Sequence, residues 1–128
     1  MKVKRFEDLE IWQLARELCK IVFKATENEP FKRDFKLKNQ ILGSSGSVMD
    51  NIAEGFERGG NNEFFQFLSI AKGSCGETRS QLYRAFDFGY IDQQVFDEIL
   101  NQAEKVSSKI SSMMIYLKKS DFKGPKYM

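Results

Sequence analysis

Phe64, Leu68, Ala71, Cys75, Thr78, Leu82 and Ala85 succeed one another at alternating steps of four and three residues. A strand cannot use this rhythm, because its side chains alternate between faces with a period of two. On a helix, the same spacing draws one unbroken seam, suited to packing against other helices at a shallow crossing angle. Phe96, Ile99, Ala103, Val106, Ile110, Met113 and Leu117 repeat the pattern further along. Only two prolines, Pro30 and Pro125, interrupt the chain, so long helices are permitted. No strand pattern competes.

Periodicity predicts four helices, over about 8–26, 36–58, 62–88 and 93–118. In the first, Ile11, Trp12, Ala15, Leu18, Cys19, Val22 and Phe23 form a wide apolar stripe, with Asp8 as the expected N-cap. Glu27-Asn28-Glu29-Pro30 should end it, since a proline disfavours helix in the residue before it. In the second, Gly43-Ser44-Ser45-Gly46-Ser47 is a weak helix former. Yet Ile41, Ser45, Val48 and Ile52 carry the helical spacing straight through it, and small residues let a neighbouring backbone come close. Asn61 or Asn62 is expected to cap the third helix, Gly89 to terminate it, and Asp92 to cap the fourth. Short connections make consecutive helices antiparallel, so the fold class is all-α, an up-down-up-down four-helix bundle. Residues 1–128 read as one domain, with a polar tail at about 120–128 that contains Gly124-Pro125.

The chain contains no histidine, which removes the commonest general base and the most frequent zinc ligand together. Cys19 and Cys75 are far apart and sit on apolar stripes, so they read as small core residues in a reducing compartment. The serines at 44, 45, 47 and 74 have no base to activate them, and no Gly-Lys-Ser/Thr follows the glycine–serine run to make a phosphate loop. The reading is a non-enzyme with no catalytic residues, metal or cofactor. The charged N-terminus lacks an apolar core behind it, and no apolar run approaches about 18 residues. A cytoplasmic protein without membrane contact is expected.

Polar residues inside the helical segments are assigned structural roles: Gln40, Asn51, Glu54, Ser74 and Glu77. Glu54 and Glu77 are expected to face other helices and to pair with Arg58, Arg79 or Arg84, because a lone buried charge is costly. Asn51 is expected to hydrogen-bond between helices. Phe64, Phe65, Phe67, Leu68, Ile70 and Ala71 span an arc of about 220°, wider than one core face needs. Phe65 and Ile70, with Tyr83 and Phe86, are therefore left for contact with another copy of the chain.

Formal net charge is only +2, but the charge is unevenly placed. A bundle of this topology gathers the N-terminus, the connection near 57–62 and the C-terminus at one end. Lys2, Lys4, Arg5, Arg58, Lys118, Lys119, Lys123 and Lys126 meet there, and Lys4, Arg5, Arg58, Lys118, Lys119 and Lys123 are the candidate nucleic-acid contacts. At the other end Lys32, Arg33, Lys36 and Lys38 are offset by Asp92, Asp97 and Glu98.

Leu9-Glu10-Ile11-Trp12-Gln13-Leu14-Ala15, Leu37 with Gln40-Ile41, Asn51-Ile52-Ala53-Glu54-Gly55-Phe56 with Arg58, Glu63-Phe64, Phe67-Leu68, Ile70-Ala71, Gly73-Ser74 and Glu77 together resemble a known family. These are the bacterial four-helix bundle proteins, also called 23S ribosomal RNA intervening-sequence proteins. The resemblance runs from about Phe6 to Tyr90 and implies a bundle that assembles as a ring, typically a pentamer. It also implies similarity in fold to the accessory protein of diversity-generating retroelements, a basic barrel that binds nucleic acid and a reverse transcriptase. The family commonly carries basic residues just after the Gln-Ile pair, where this chain has Leu42 and Gly43. The expected partners are the chain itself and RNA or other nucleic acid. The alternative is an adaptor that holds a partner protein without nucleic-acid contact.

Overall fold

The computed structural model describes residues 3–120. Four α-helices, α1 (Glu10–Thr26), α2 (Phe35–Glu57), α3 (Asn61–Asp87) and α4 (Gln93–Ser120), run up and down around one core. Single turns of 3-10 helix at Phe6–Asp8 and Phe31–Arg33 precede α1 and α2. There is no strand among the described residues. The tail expected at 120–128 lies outside the described residues except for Ser120.

The expected seams are the buried ones except at Met113, which is half-buried. Phe64, Leu68, Ala71, Cys75, Thr78, Leu82 and Ala85 of α3 are all closed to solvent, as are Phe96, Ile99, Ala103, Val106, Ile110 and Leu117 of α4. Each large aliphatic or aromatic side chain so enclosed contributes about 1.5–3 kcal/mol relative to exposure. Phe23 departs from expectation: it is 54% exposed. The buried line of α1 is Ile11, Ala15, Leu18, Val22 and Ala25, and Phe23 falls just past its edge.

Helix starts depend on which residues the core takes. Leu9, not Asp8, is the N-cap of α1 and makes no side-chain cap. Leu9 is almost fully buried, and the 3-10 turn that delivers it carries Asp8 to Arg5, 3.4 Å away. Neither Asn61 nor Asn62 caps α3 either: Gly60 holds that position and Asn61 lies inside the first turn, 2% exposed. Neither amide atom of Asn61 has a hydrogen-bond partner in the structure. The turn that forces this is tight because Gly59 adopts φ +87°, a left-handed conformation disfavoured for other residues. The other end of α3 follows expectation. Gly89 takes φ +76°, its N–H bonds Phe86 O, and the N–H of Tyr90 bonds Ala85 O, which is a Schellman closure. Asp92 caps α4 through the N–H of Val95 at 2.9 Å.

The glycine–serine stretch stays helical throughout α2. Ser45 Oγ donates to the Ile41 carbonyl at 2.7 Å, and Ser44 Oγ donates to Gln81 Oε1 at 2.6 Å while lying 2.8 Å from Thr78 Oγ1. These bonds satisfy the buried hydroxyls, so the small side chains admit α3 without stranding a polar group. The approach is closest at Gly55, where an added Cβ would stand 2.6 Å from Phe67 Cβ.

Asp34, not singled out by the sequence, caps α2 by accepting the Leu37 N–H at 3.0 Å. Its second oxygen accepts the Tyr90 hydroxyl at 2.8 Å, tying the start of α2 to the α3–α4 connection. The Leu37 N–H first, and the Tyr90 hydroxyl second, hold the Asp34 carboxyl below its ordinary 3.8. A depressed folded value contributes stability above the ordinary carboxylate range, and that contribution is lost as pH falls through the folded value. Asp34→Asn keeps a competent cap but removes the charge. The variant should be less stable than the parent near pH 7, and the gap should close between about pH 5 and pH 3 as the parent loses the contribution of the charge. Parallel acid limbs in thermal melts across that range would contradict this.

Candidate functional site

The end of the bundle that gathers the start of α1, the α2–α3 turn and the close of α4 carries the basic residues. Its geometry is fixed by contacts across the three regions. Phe56 and Phe64 meet edge to face at 5.9 Å across the turn. Lys118 Nζ lies 5.2 Å from the centre of the Phe65 ring, joining α4 to α3. Val3 shares a cleft of about 410 Å³ with Leu9 and Ile11 of the first helix and Met113 and Tyr116 of the last.

The expected basic residues differ in how much charge they offer. Arg5 is shared between Asp8 at 3.4 Å and Glu7 at 3.9 Å. Arg58 lies 3.0 Å from Glu54 and 3.8 Å from Glu63, with its guanidinium over the Phe67 ring. Lys4, Lys118 and Lys119 are exposed and make no ion pair among the described residues. Lys123, with Lys2 and Lys126, lies outside the described residues. This end thus carries three exposed ammonium groups without a carboxylate partner among the described residues, that of Lys118 over the Phe65 ring, and two guanidinium groups beside carboxylates.

The polar residues of the motif region fall differently from expectation. Glu54 and Glu77 do not face other helices; both are exposed. Each is one residue short of the buried line, beside Gly55 and Thr78 respectively, and Glu54 pairs with Arg58. Asn51 donates to Ser47 O at 2.8 Å and Ser47 Oγ at 2.9 Å, both in its own helix. It reaches α3 only through Ser47, whose hydroxyl is 3.0 Å from that of Ser74. Gln40 Oε1 accepts from Arg84 at 3.3 Å. Inter-helix polar contacts that sequence reasoning missed include Ser44 with Gln81 and Gln102 Nε2 donating to the Leu14 carbonyl at 2.9 Å. The available signal was Gln81 beside Leu82, one position off a seam otherwise apolar.

Of the four residues assigned to copy–copy contact, Ile70 and Tyr83 are half exposed, at 52% and 50%. Phe65 and Phe86 are largely taken up by the chain itself, under Lys118 and against Phe96 at 4.7 Å respectively. Among the described residues no cluster of acidic and cysteine side chains could hold a metal ion. Cys19 donates its thiol to Ser45 O and burial pushes it up to about 11, while burial also raises Cys75. Neither is poised as a thiolate nucleophile at neutral pH. No helix of the described residues is long and apolar enough to cross a membrane.

The model of the 23S rRNA-intervening sequence protein family matches residues 7–112, from the first 3-10 turn to just over two turns short of the close of α4. The chain belongs to this family. The family match covers α1, α2 and α3 whole and α4 as far as Ser112, with the Asn51–Phe56 motif and the α2–α3 turn. Among solved structures, the chain is similar to a protein of unknown function from the S23 ribosomal protein family of Bacteroides thetaiotaomicron VPI-5482, solved at 1.70 Å. The two share 25% identity and superpose with a TM-score of 0.74, over 81% of this chain and 97% of the other. No curated protein matches the chain.

Proposed function

We propose that the chain is a non-catalytic scaffold that forms a homo-oligomeric ring, a pentamer by its family resemblance, and holds RNA or other nucleic acid at its basic end. The observation that carries this reading is the trio Lys4, Lys118 and Lys119, exposed together at one end with no internal carboxylate partner among the described residues. Unpaired ammonium groups attract a phosphate backbone without reading its sequence, and a ring multiplies them around an axis. Ile70 and Tyr83, exposed on α3, support the ring, since apolar surface on a water-borne chain favours contact with another copy.

Binding driven by about three phosphate contacts per chain should weaken roughly 20-fold between 50 and 200 mM salt on a single strand. Filter binding of a labelled single-stranded RNA at both salts tests this. Replacing Lys118 and Lys119 by glutamate should lower affinity at least tenfold and flatten the salt dependence. Absence of binding at 50 mM salt would eliminate the nucleic-acid reading and favour a protein-interaction adaptor. Light scattering of the unmodified chain tests the ring; a mass near 14.9 kDa at micromolar concentration would exclude it.

A further inference from the structure

The end of the bundle remote from the basic rim carries the 27–34 and 88–92 connections and an aromatic platform. Phe31, buried, packs on Tyr90 with ring centres 5.3 Å apart, and Tyr90 in turn meets Phe88 at 5.7 Å. Tyr90 is fixed by its hydroxyl on Asp34, the residue next to Phe35. The stack ends in solvent at Phe88, 55% exposed, and Phe35, at the start of α2, is 71% exposed. Two largely open phenyl rings thus belong to this end, Phe88 against Tyr90 and Phe35 next in sequence to the Asp34 that holds it.

The charges around them say what covers them. Most at this end are already occupied within the chain. Arg33 lies 2.7 Å from Glu29, and Lys38 lies 3.0 Å from Glu27. Arg84 reaches Gln40, and Asp92 accepts the Val95 N–H. Lys32 and Lys36, around the start of α2, and Asp87, Asp97 and Glu98, at the close of α3 and the start of α4, are exposed and make no ion pair among the described residues. A polyanion would gain the two lysines but would lie against Asp34, Asp87 and Asp92. A surface that carries both signs about an apolar centre complements itself when turned through a two-fold axis, so that residue i meets residue j and j meets i.

We propose that this end docks onto a second copy of the chain in a two-fold contact centred on Phe35 and Phe88, with Lys36 of each copy facing Asp87 of the other. The contact uses a different surface from the ring and does not require it. Where both form, two rings stack end to end.

The test is the mass of the full chain by light scattering, with circular dichroism to confirm the fold. Phe35→Glu and Phe88→Glu should each halve the mass and leave helix content unchanged, because both rings are more than half exposed in the single chain. Lys36→Glu alone and Asp87→Lys alone should each weaken association about tenfold. Mixed in equal amounts, they should restore it, since every pair in the mixed contact is then opposite in sign. Masses unchanged in both aromatic variants would overturn the proposal, as would mixing that restores nothing. Loss of single-stranded RNA binding in Phe35→Glu at unchanged mass would also overturn it, assigning the platform to nucleic acid. Ile70→Glu and Tyr83→Glu should dismantle the ring while leaving pairing intact, so the two assemblies fail separately.

Discussion

Gly55→Val is expected to destabilise the bundle by about 3 kcal/mol, because overpacking forces displaced side chains and backbone rather than a local adjustment. The clash is with Phe67 Cβ at 2.6 Å, an atom fixed by the backbone of α3. Rotating or shortening the Phe67 side chain therefore brings no relief, since every residue except glycine keeps that atom. Helix propensity works the other way, favouring almost any residue over glycine by up to about 1 kcal/mol. A substitution that destabilises despite that gain identifies contact, not backbone freedom, as the reason for glycine. Thermal unfolding should move down by on the order of 10 °C. An unchanged or raised midpoint would show that α2 and α3 stand further apart than described.

Phe64→Ala should cost more, about 3–5 kcal/mol, through lost burial and the cavity left behind. Phe64 is wholly enclosed at the start of α3 and packs edge to face on Phe56 at the close of α2. Its loss loosens the 58–60 turn from both sides and removes the floor beneath the basic rim. Urea unfolding should show a lower midpoint with the slope preserved. Phe65→Ala, one residue on, serves as the control: its ring is only half buried, so the cost should be clearly smaller. Equal costs for the two would mean that the seam of α3 has been placed one position out.

The helices were legible because a seven-residue apolar rhythm survives every local weakness, including Gly43–Ser47. The seam of α3 was read residue by residue, and Gly89 and Asp92 were identified because a left-handed turn favours a residue without a Cβ and a helix start favours a side-chain acceptor. Caps at the other ends were not legible. Asp8 and Asn61 have suitable chemistry, but the core claims Leu9 next to one and buries the other outright. Local preference there yields to tertiary packing. Glu54 and Glu77 were misplaced for a related reason: being next to a buried position says nothing about which side of it a residue lies on. At the basic end, composition identified the lysines and arginines but could not separate Lys4, Lys118 and Lys119 from Arg5 and Arg58. That distinction depends on Asp8 arriving beside Arg5 and Glu54 beside Arg58. Phe35 and Phe88 fall outside every seam, a signal the sequence contained, but only the folded chain puts them at one end.

Val3 and the last turns of α4 line the same cleft, so the two extremities of the described chain leave the bundle side by side. A reporter or affinity handle joined directly at Val3 or Ser120 would therefore stand beside the lysine rim, and two such handles would crowd each other. A circular permutant offers the remedy: bridge the extremities with a short flexible linker and open the chain between Gly59 and Gly60. All four rods keep their neighbours, and the new extremities emerge at the same pole, where the order of the rods can be tested without touching the aromatic end.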